Sequence, residues 1–153
     1  MSIHPGHLRE YVIRPVLRSL DLYSEAAEEL LMLTAATESL CGRFLHQVGG
    51  PALGIFQMEP RTHNDIHTNY LAYRPGLARL VAEYGSAANH LAGSLNYATA
   101  MARIHYLRVP VPLPSPIDID GLADYWKLFY NTHAGAGRPE TAVRHYQSLA
   151  LTD

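Results

Sequence analysis

The chain has one cysteine, Cys41. A single thiol excludes an intramolecular disulfide framework and offers no redox motif. Its neighbours mark no reactive nucleophile, so a buried structural thiol is expected. Charge is also scarce. Only 17 % of the 153 residues are charged, against 48 % hydrophobic, a balance that suits a compact core and argues against disorder. There is no basic run, and a net charge of −2 gives no electrostatic footprint for nucleic acid, so no nucleic-acid partner is expected. No apolar run reaches the length of a membrane span, which argues against membrane insertion. The opening Met-Ser-Ile-His-Pro-Gly-His lacks the basic-then-apolar pattern of a signal peptide, so synthesis in the cytoplasm without export by a signal of its own is expected. Internal repeats, a clear hairpin signal and a second domain are missing too, leaving one domain over residues 1–153.

What is present reads as a string of helices, and the expected fold class is mainly α. Leu8, Tyr11, Val12, Val16 and Leu20 recur at helical spacing, with Pro15 placed to kink or divide that helix. Ser24 is a good N-cap for a helix running to about Glu38. A loop from Gly42 to Pro60 follows, broken at Gly49-Gly50-Pro51, where at most a short irregular β element fits. Pro60 suits the first turn of a helix running through Thr62 to about Leu71. Pro75 suits another, carrying Leu77, Leu80, Val81 and Tyr84 and stopped by Gly85. Leu91, Leu95, Ala98 and Ala102 mark one longer helix ending near Arg108. Val109 to Ile117 holds four prolines and is expected to be a stiff extended connection. Asp118 or Asp120 can cap a helix containing Leu122, Trp126, Phe129 and Tyr130. Gly135 and Gly137 break it, and Pro139 begins a last helix with Val143, Tyr146 and Ala150 inward.

Glu38 stands out on physical grounds. It follows Leu30 to Thr37, an uncharged stretch that is apolar nearly all round and is expected to form a buried helix. A carboxylate at the C-terminal end of such a helix is disfavoured by low dielectric and by the negative end of the helix dipole. Both raise its pKa, as a general acid working near neutral pH requires. The other reading of this segment is a surface glutamate just past the helix end.

Four segments then fall in order: Glu38-Ser39; Gly54-Ile55-Phe56-Gln57-Met58-Glu59-Pro60-Arg61-Thr62; the helix ending His105-Tyr106-Leu107; and Tyr130-Asn131 running on to Gly135. Gln57 lies roughly twenty residues after Glu38. Over residues 24–146 this order resembles the lytic transglycosylases and goose-type lysozymes of the lysozyme superfamily. Their pattern is Glu-Ser at a helix end, a Gly-Leu-Met-Gln-x-x-Pro-x-Thr turn, a helix ending in Tyr-Leu, and Tyr-Asn-x-Gly. Two departures are visible. Thr132-His133-Ala134 displace the glycine after Asn131, and Asn96 is too far from Tyr106 to complete the third pattern. The Gly-Ile-Phe-Gln-Met-Glu-Pro-x-Thr-His wording also looks like small phage proteins carrying this domain.

The resemblance implies a single lysozyme-like helical domain with an active-site groove and a peptidoglycan glycan strand as its partner. It implies a lytic transglycosylase or muramidase that cleaves the β-1,4 glycosidic bond without a cofactor. Glu38 would be the catalytic acid and base, and Ser39, Gln57, Tyr106, Tyr130 and Asn131 the substrate-binding residues. It further implies association with a phage virion and with its other virion or tail proteins. The alternative is a structural virion component that keeps the lysozyme-like fold but does not cut. Delivery by the particle would suit a chain that is expected to have no leader and no wall-binding domain of its own.

Two other groups need a role. Glu59 or Asp65 could hold a water if the enzyme inverted configuration, but Glu59 is also well placed at a helix N-terminus, where negative charge is favoured. His63 and His67, four apart, share a helix face at a spacing used by metal sites. The residues between them, Asn64-Asp65-Ile66, lack the glutamate of the usual protease motif. Asp65, His46 or His133 are the third ligands that could be proposed. No metal is expected.

Overall fold

Ser24 begins the element around which the chain is organised. In the computed structural model, which describes residues 2–131 and 137–151, its side chain accepts from the Ala27 amide at 3.0 Å and opens helix α3, Glu25–Ser39. From Leu30 to Ala36 every residue of α3 is buried, as expected of a helix with no polar stripe. The other elements are α1, Pro5–Leu8, and α2, Arg14–Ser19; α4, Pro60–Asn69, and α5, Pro75–Ala82; α6, His90–Gly93, and α7, Leu95–Leu107; α8, Ile119–Trp126, and α9, Pro139–His145. Helix α3 packs against α7, α8 and α9 and against the helical turn preceding α2. The described residues are thus mainly helical, and none of their helices is long and apolar enough to cross a membrane.

Three wide π turns lengthen these helices. One, Arg9–Ile13, joins α1 to α2. Pro15 has no amide hydrogen to give, and the Arg14 amide reaches back to the Arg9 carbonyl instead. The expected division of this helix is therefore a widened turn. The others, Lys127–Asn131 and Tyr146–Ala150, extend α8 and α9. The helix expected as one piece from Leu91 to Arg108 is instead two. Ser94 adopts an extended conformation and its side chain accepts from the Tyr97 amide at 3.1 Å, so a new N-cap ends α6 and starts α7.

The N-terminal turn of α3 is fixed by charge. Glu28, only 4 % exposed, receives Arg9 Nη1 and Arg14 Nε at 2.7 Å each. Arg9 also reaches Glu29, which accepts from the Tyr146 hydroxyl. Burial alone would raise the Glu28 pKa, but the hydrogen bonds from Arg14 and Arg9 outweigh it and hold it below the usual carboxylate range. A second apolar cluster forms on the far side of α7, where Tyr97, Met101 and Ile104 meet Ile66, Leu71, Val81 and Leu91. Cys41 is buried and free, and burial pushes its thiol up to about 11.

Candidate active site around Glu38

Helix α3 stops where the chain turns left-handed. Leu40 and Cys41 have φ of 52° and 54°, costly values for non-glycine residues and a strain often found at functional sites. Ser39 helps to hold this turn. It is fully buried, its Oγ donates to the Ala35 carbonyl at 3.2 Å, and the Gly42 amide donates to it at 2.8 Å. The structure therefore gives Ser39 a backbone-bracing position beneath the surface.

The loop that follows makes a minimal β element from two isolated bridges, His46 with Leu53 and Leu53 with Met58. Gly54, at φ 83°, lies so close to α6 that a Cβ would stand 2.2 Å from the Leu91 carbonyl oxygen. Gln57 is also left-handed, at φ 48°. Its Nε2 donates to the Gly54 carbonyl at 2.9 Å, which leaves its Oε1 as the acceptor to face other groups.

Glu38 lies one residue before the end of α3 and is partly exposed. Trp126 Nε1 donates to its Oε2 at 2.9 Å, and the Asn131 side chain also hydrogen-bonds to it. Lys127 Nζ donates to Asn131 Oδ1 at 2.8 Å. A lysine has only donors, so the Asn131 oxygen faces Lys127 and its amino group is left to donate to Glu38. Desolvation dominates this carboxyl and raises its pKa to about 7. The hydrogen bonds from Trp126 and Asn131 and the Lys127 charge pull in the other direction without cancelling it.

Two tyrosines back the site. The Tyr130 hydroxyl donates to the Phe56 carbonyl at 2.6 Å, tying the π turn of α8 to the residue before Gln57. Tyr106 stacks on Tyr130 with ring centroids 5.2 Å apart, and its hydroxyl pairs with Thr34 Oγ1 at 2.8 Å. Burial first, and then the nearby Glu38 charge, push the Tyr130 hydroxyl well above its ordinary value. For Tyr106 the Glu38 charge acts in the same direction as burial. Both therefore remain neutral hydrogen-bonding groups at neutral pH. Tyr106 is only 2 % exposed and supports Tyr130 from below, whereas Tyr130 and Asn131 are partly exposed.

The structure thus brings Glu38, Tyr106, Tyr130 and Asn131 together and joins the Gln57 turn to them through Phe56. Trp126 and Lys127 are partners of the site that the sequence reading placed elsewhere or passed over. Residues five apart lie on different faces of an α-helix, so helical spacing alone does not set Trp126 beside Asn131, the partner expected at the site. The i→i+5 geometry of the π turn brings both to Glu38. Thr132 to Ala136, including the displaced Gly135 and the proposed ligand His133, lie outside the described residues. Gly137 packs back on the site, where a Cβ would come 2.6 Å from Trp126 Cη2.

The remaining candidates have other partners, and none of them is among the groups acting on the Glu38 carboxyl. Glu59 is the N-cap residue of α4 and pairs with Arg61 at 3.1 Å. Asp65 accepts from Arg108 Nη1 at 2.7 Å and Asn69 Nδ2 at 2.6 Å, and these bonds hold its carboxyl below the usual range. His63 Nε2 and His67 Nε2 both meet the Tyr97 hydroxyl, at 2.6 and 2.9 Å. Among the described residues no group of three His, Cys, Asp or Glu side chains is placed to hold a metal ion. No family model matches the chain, and neither a curated protein nor a solved structure matches it.

Proposed function

We propose that the protein cleaves the β-1,4 glycosidic bond of peptidoglycan strands, as a lytic transglycosylase or muramidase, with Glu38 as the acid and base. The observation that carries this reading is the Glu38 carboxyl itself. Raised to about 7, it is protonated in a large fraction of molecules near neutral pH and can still lose its proton, which a group acting first as acid and then as base requires. Glycoside cleavage needs protonation of the leaving oxygen and stabilisation of a cationic transition state. Glu38 gives its proton to the glycosidic oxygen as the C1–O bond breaks. In the transglycosylase course it then takes the proton of the sugar's C6 hydroxyl as that oxygen bonds to C1, and an anhydro sugar results. In the hydrolase course water supplies the oxygen. Among the described residues, the groups acting on the carboxyl are Trp126, Asn131 and Lys127, with no second carboxylate among them, and this favours the one-glutamate course. Tyr130, Asn131 and Gln57 are the side chains we assign to the sugar.

The test is mass spectrometry of muropeptides after purified peptidoglycan is incubated with the wild type and with Glu38→Gln. Anhydro products from the wild type alone are expected. Reducing-end products would make the enzyme a muramidase. No product from the wild type, or equal product from the variant, would reject the catalytic reading and leave a non-cutting structural protein.

A further inference from the structure

The last turn of α7 carries a chain of polar contacts that the reading above does not use. Asp65 on α4 holds Arg108 through Nη1 at 2.7 Å, and Arg108 Nη2 donates to His105 Nδ1 at 3.1 Å. A guanidinium has no acceptor, so His105 Nδ1 must be bare, and the neutral ring carries its proton on Nε2. Burial first, then the Arg108 charge, lower the His105 pKa to about 4, against a smaller opposing pull from Asp65. The imidazole is therefore a neutral donor at every pH where the enzyme is expected to work. Among the described residues its Nε2–H has no hydrogen-bond partner, and His105 is partly exposed. Its ring meets that of Tyr130 edge to face, with centroids 5.0 Å apart. Tyr130 donates to the Phe56 carbonyl beside Gln57 and lies close enough to Glu38 to feel its charge.

We propose that His105 is a substrate-binding residue whose Nε2–H donates to a neutral oxygen of an amino-sugar unit beside the cleaved bond. Arg108 and Asp65 are the positioning residues that fix its tautomer. The inference rests on the glycan-cleaving reading. The chemistry selects the ligand group. The ring is uncharged and Arg108 is already neutralised by Asp65, so the acetamido carbonyl or a hydroxyl of the sugar is favoured over the carboxylates of a peptide stem. Asp65, weighed from sequence as a second catalytic carboxylate, acts here through Arg108 and His105.

The test uses a β-1,4-linked N-acetylglucosamine tetramer as probe on the Glu38→Gln background, so that binding is read without cutting. Nitrogen-15 spectra of the histidines should show His105 as the Nε2–H tautomer, and its Nε2 resonance should move when the tetramer is added. His105→Phe should weaken tetramer binding about fivefold to tenfold, the loss of one hydrogen bond, and His105→Gln should recover part of it. Arg108→Met should leave the ring a mixture of tautomers with a smaller loss of affinity. An unmoved Nε2 resonance, undiminished binding by a folded His105→Phe variant, or no tetramer binding at all would overturn the proposal. Wild-type protein that releases no muropeptides but binds the tetramer in a His105-dependent way would refute the cutting reading and leave this glycan contact standing.

Discussion

Trp126 Nε1 and Glu38 Oε2 are 2.9 Å apart, with the indole donating to the carboxyl at the end of the buried helix α3. The bond favours the charged form of Glu38, while desolvation favours the neutral form and prevails. The site therefore holds its carboxyl between two opposed effects, of which desolvation is the larger. A small change in either should move its titration through the neutral range.

The first consequence is for stability. The Glu38 pKa is about 7 in the fold against an ordinary 4.5. Between those values the native state holds a proton that the unfolded chain has released, so stability falls as pH rises through this window. Above pH 7 the folded protein carries the full penalty of a charged, desolvated carboxyl. Glu38→Gln removes the charge and keeps an oxygen for Trp126. It should be more stable than wild type by about 1–2 kcal/mol at pH 8, after allowance for the water that still screens the group. Near pH 4 it should gain nothing. Thermal melts of both proteins at the two pH values check this. A gain of equal size at both would show that charge is not the cause.

Trp126→Phe tests the opposing effect. The ring volume is largely kept and the N–H is lost, so the charged form of Glu38 loses a donor. A hydrogen bond to a charged group contributes roughly 1.5–3 kcal/mol, or about one to two pKa units. The carboxyl should titrate at least a unit higher in a carbon-13 NMR titration, and the alkaline limb of any activity profile should move up with it. A lower titration point would mean that the indole acts chiefly by excluding water.

These relationships show what the sequence made legible. The burial of α3, the caps at Ser24 and Asp118, the extended proline segment and the start of α9 at Pro139 all follow from local chemistry, because a cap or a proline acts on its own neighbours. Glu38 was legible for the same reason. Of its partners, Asn131 stood out in the Tyr130-Asn131 segment, but Trp126 and Lys127 did not. Helical periodicity assumes a constant turn, and the π turn at Lys127–Asn131 rotates Trp126 and Asn131 onto one side in a way that no 3.6-residue pattern describes. The division at Ser94 was hidden for a related reason, since apolar spacing from Leu91 to Ala102 continues across it. Ser39 and Tyr106 read from sequence as substrate-binding residues, but their depth below the surface is a tertiary fact.

Glu28 provides a prediction with the opposite pH sign. Its folded pKa lies below the ordinary value because Arg14 and Arg9 outweigh its burial. Its contribution is fully present above about pH 4.5 and is lost as pH falls through the lowered folded value. Glu28→Gln should destabilise the protein by about 3 kcal/mol at pH 7, because it leaves partly buried arginines without their carboxylate. The difference from wild type should shrink below pH 4 in urea titrations. A difference that stays constant down to pH 3 would assign the loss to packing.

Gly137 tests whether the packing behind the indole sets the Glu38 titration. A Cβ there would come 2.6 Å from Trp126 Cη2 and 3.3 Å from Asn131 Oδ1. Trp126 is 1 % exposed and has little room to retreat, so in Gly137→Ala the indole must shift or the backbone must yield. Overpacking of this kind costs about 1–3 kcal/mol. The shift also lengthens the bond from Nε1 to Glu38. The carboxyl should then titrate above its wild-type value, in the same direction as in Trp126→Phe. The two variants reach that result by different routes, since one removes the donor and the other displaces it. Combining them should therefore raise the titration point little beyond Trp126→Phe alone, because the displaced ring no longer has a proton to withhold. A double variant whose shifts add in full would show that Gly137 acts on Glu38 through Asn131, the other side chain that its Cβ would crowd.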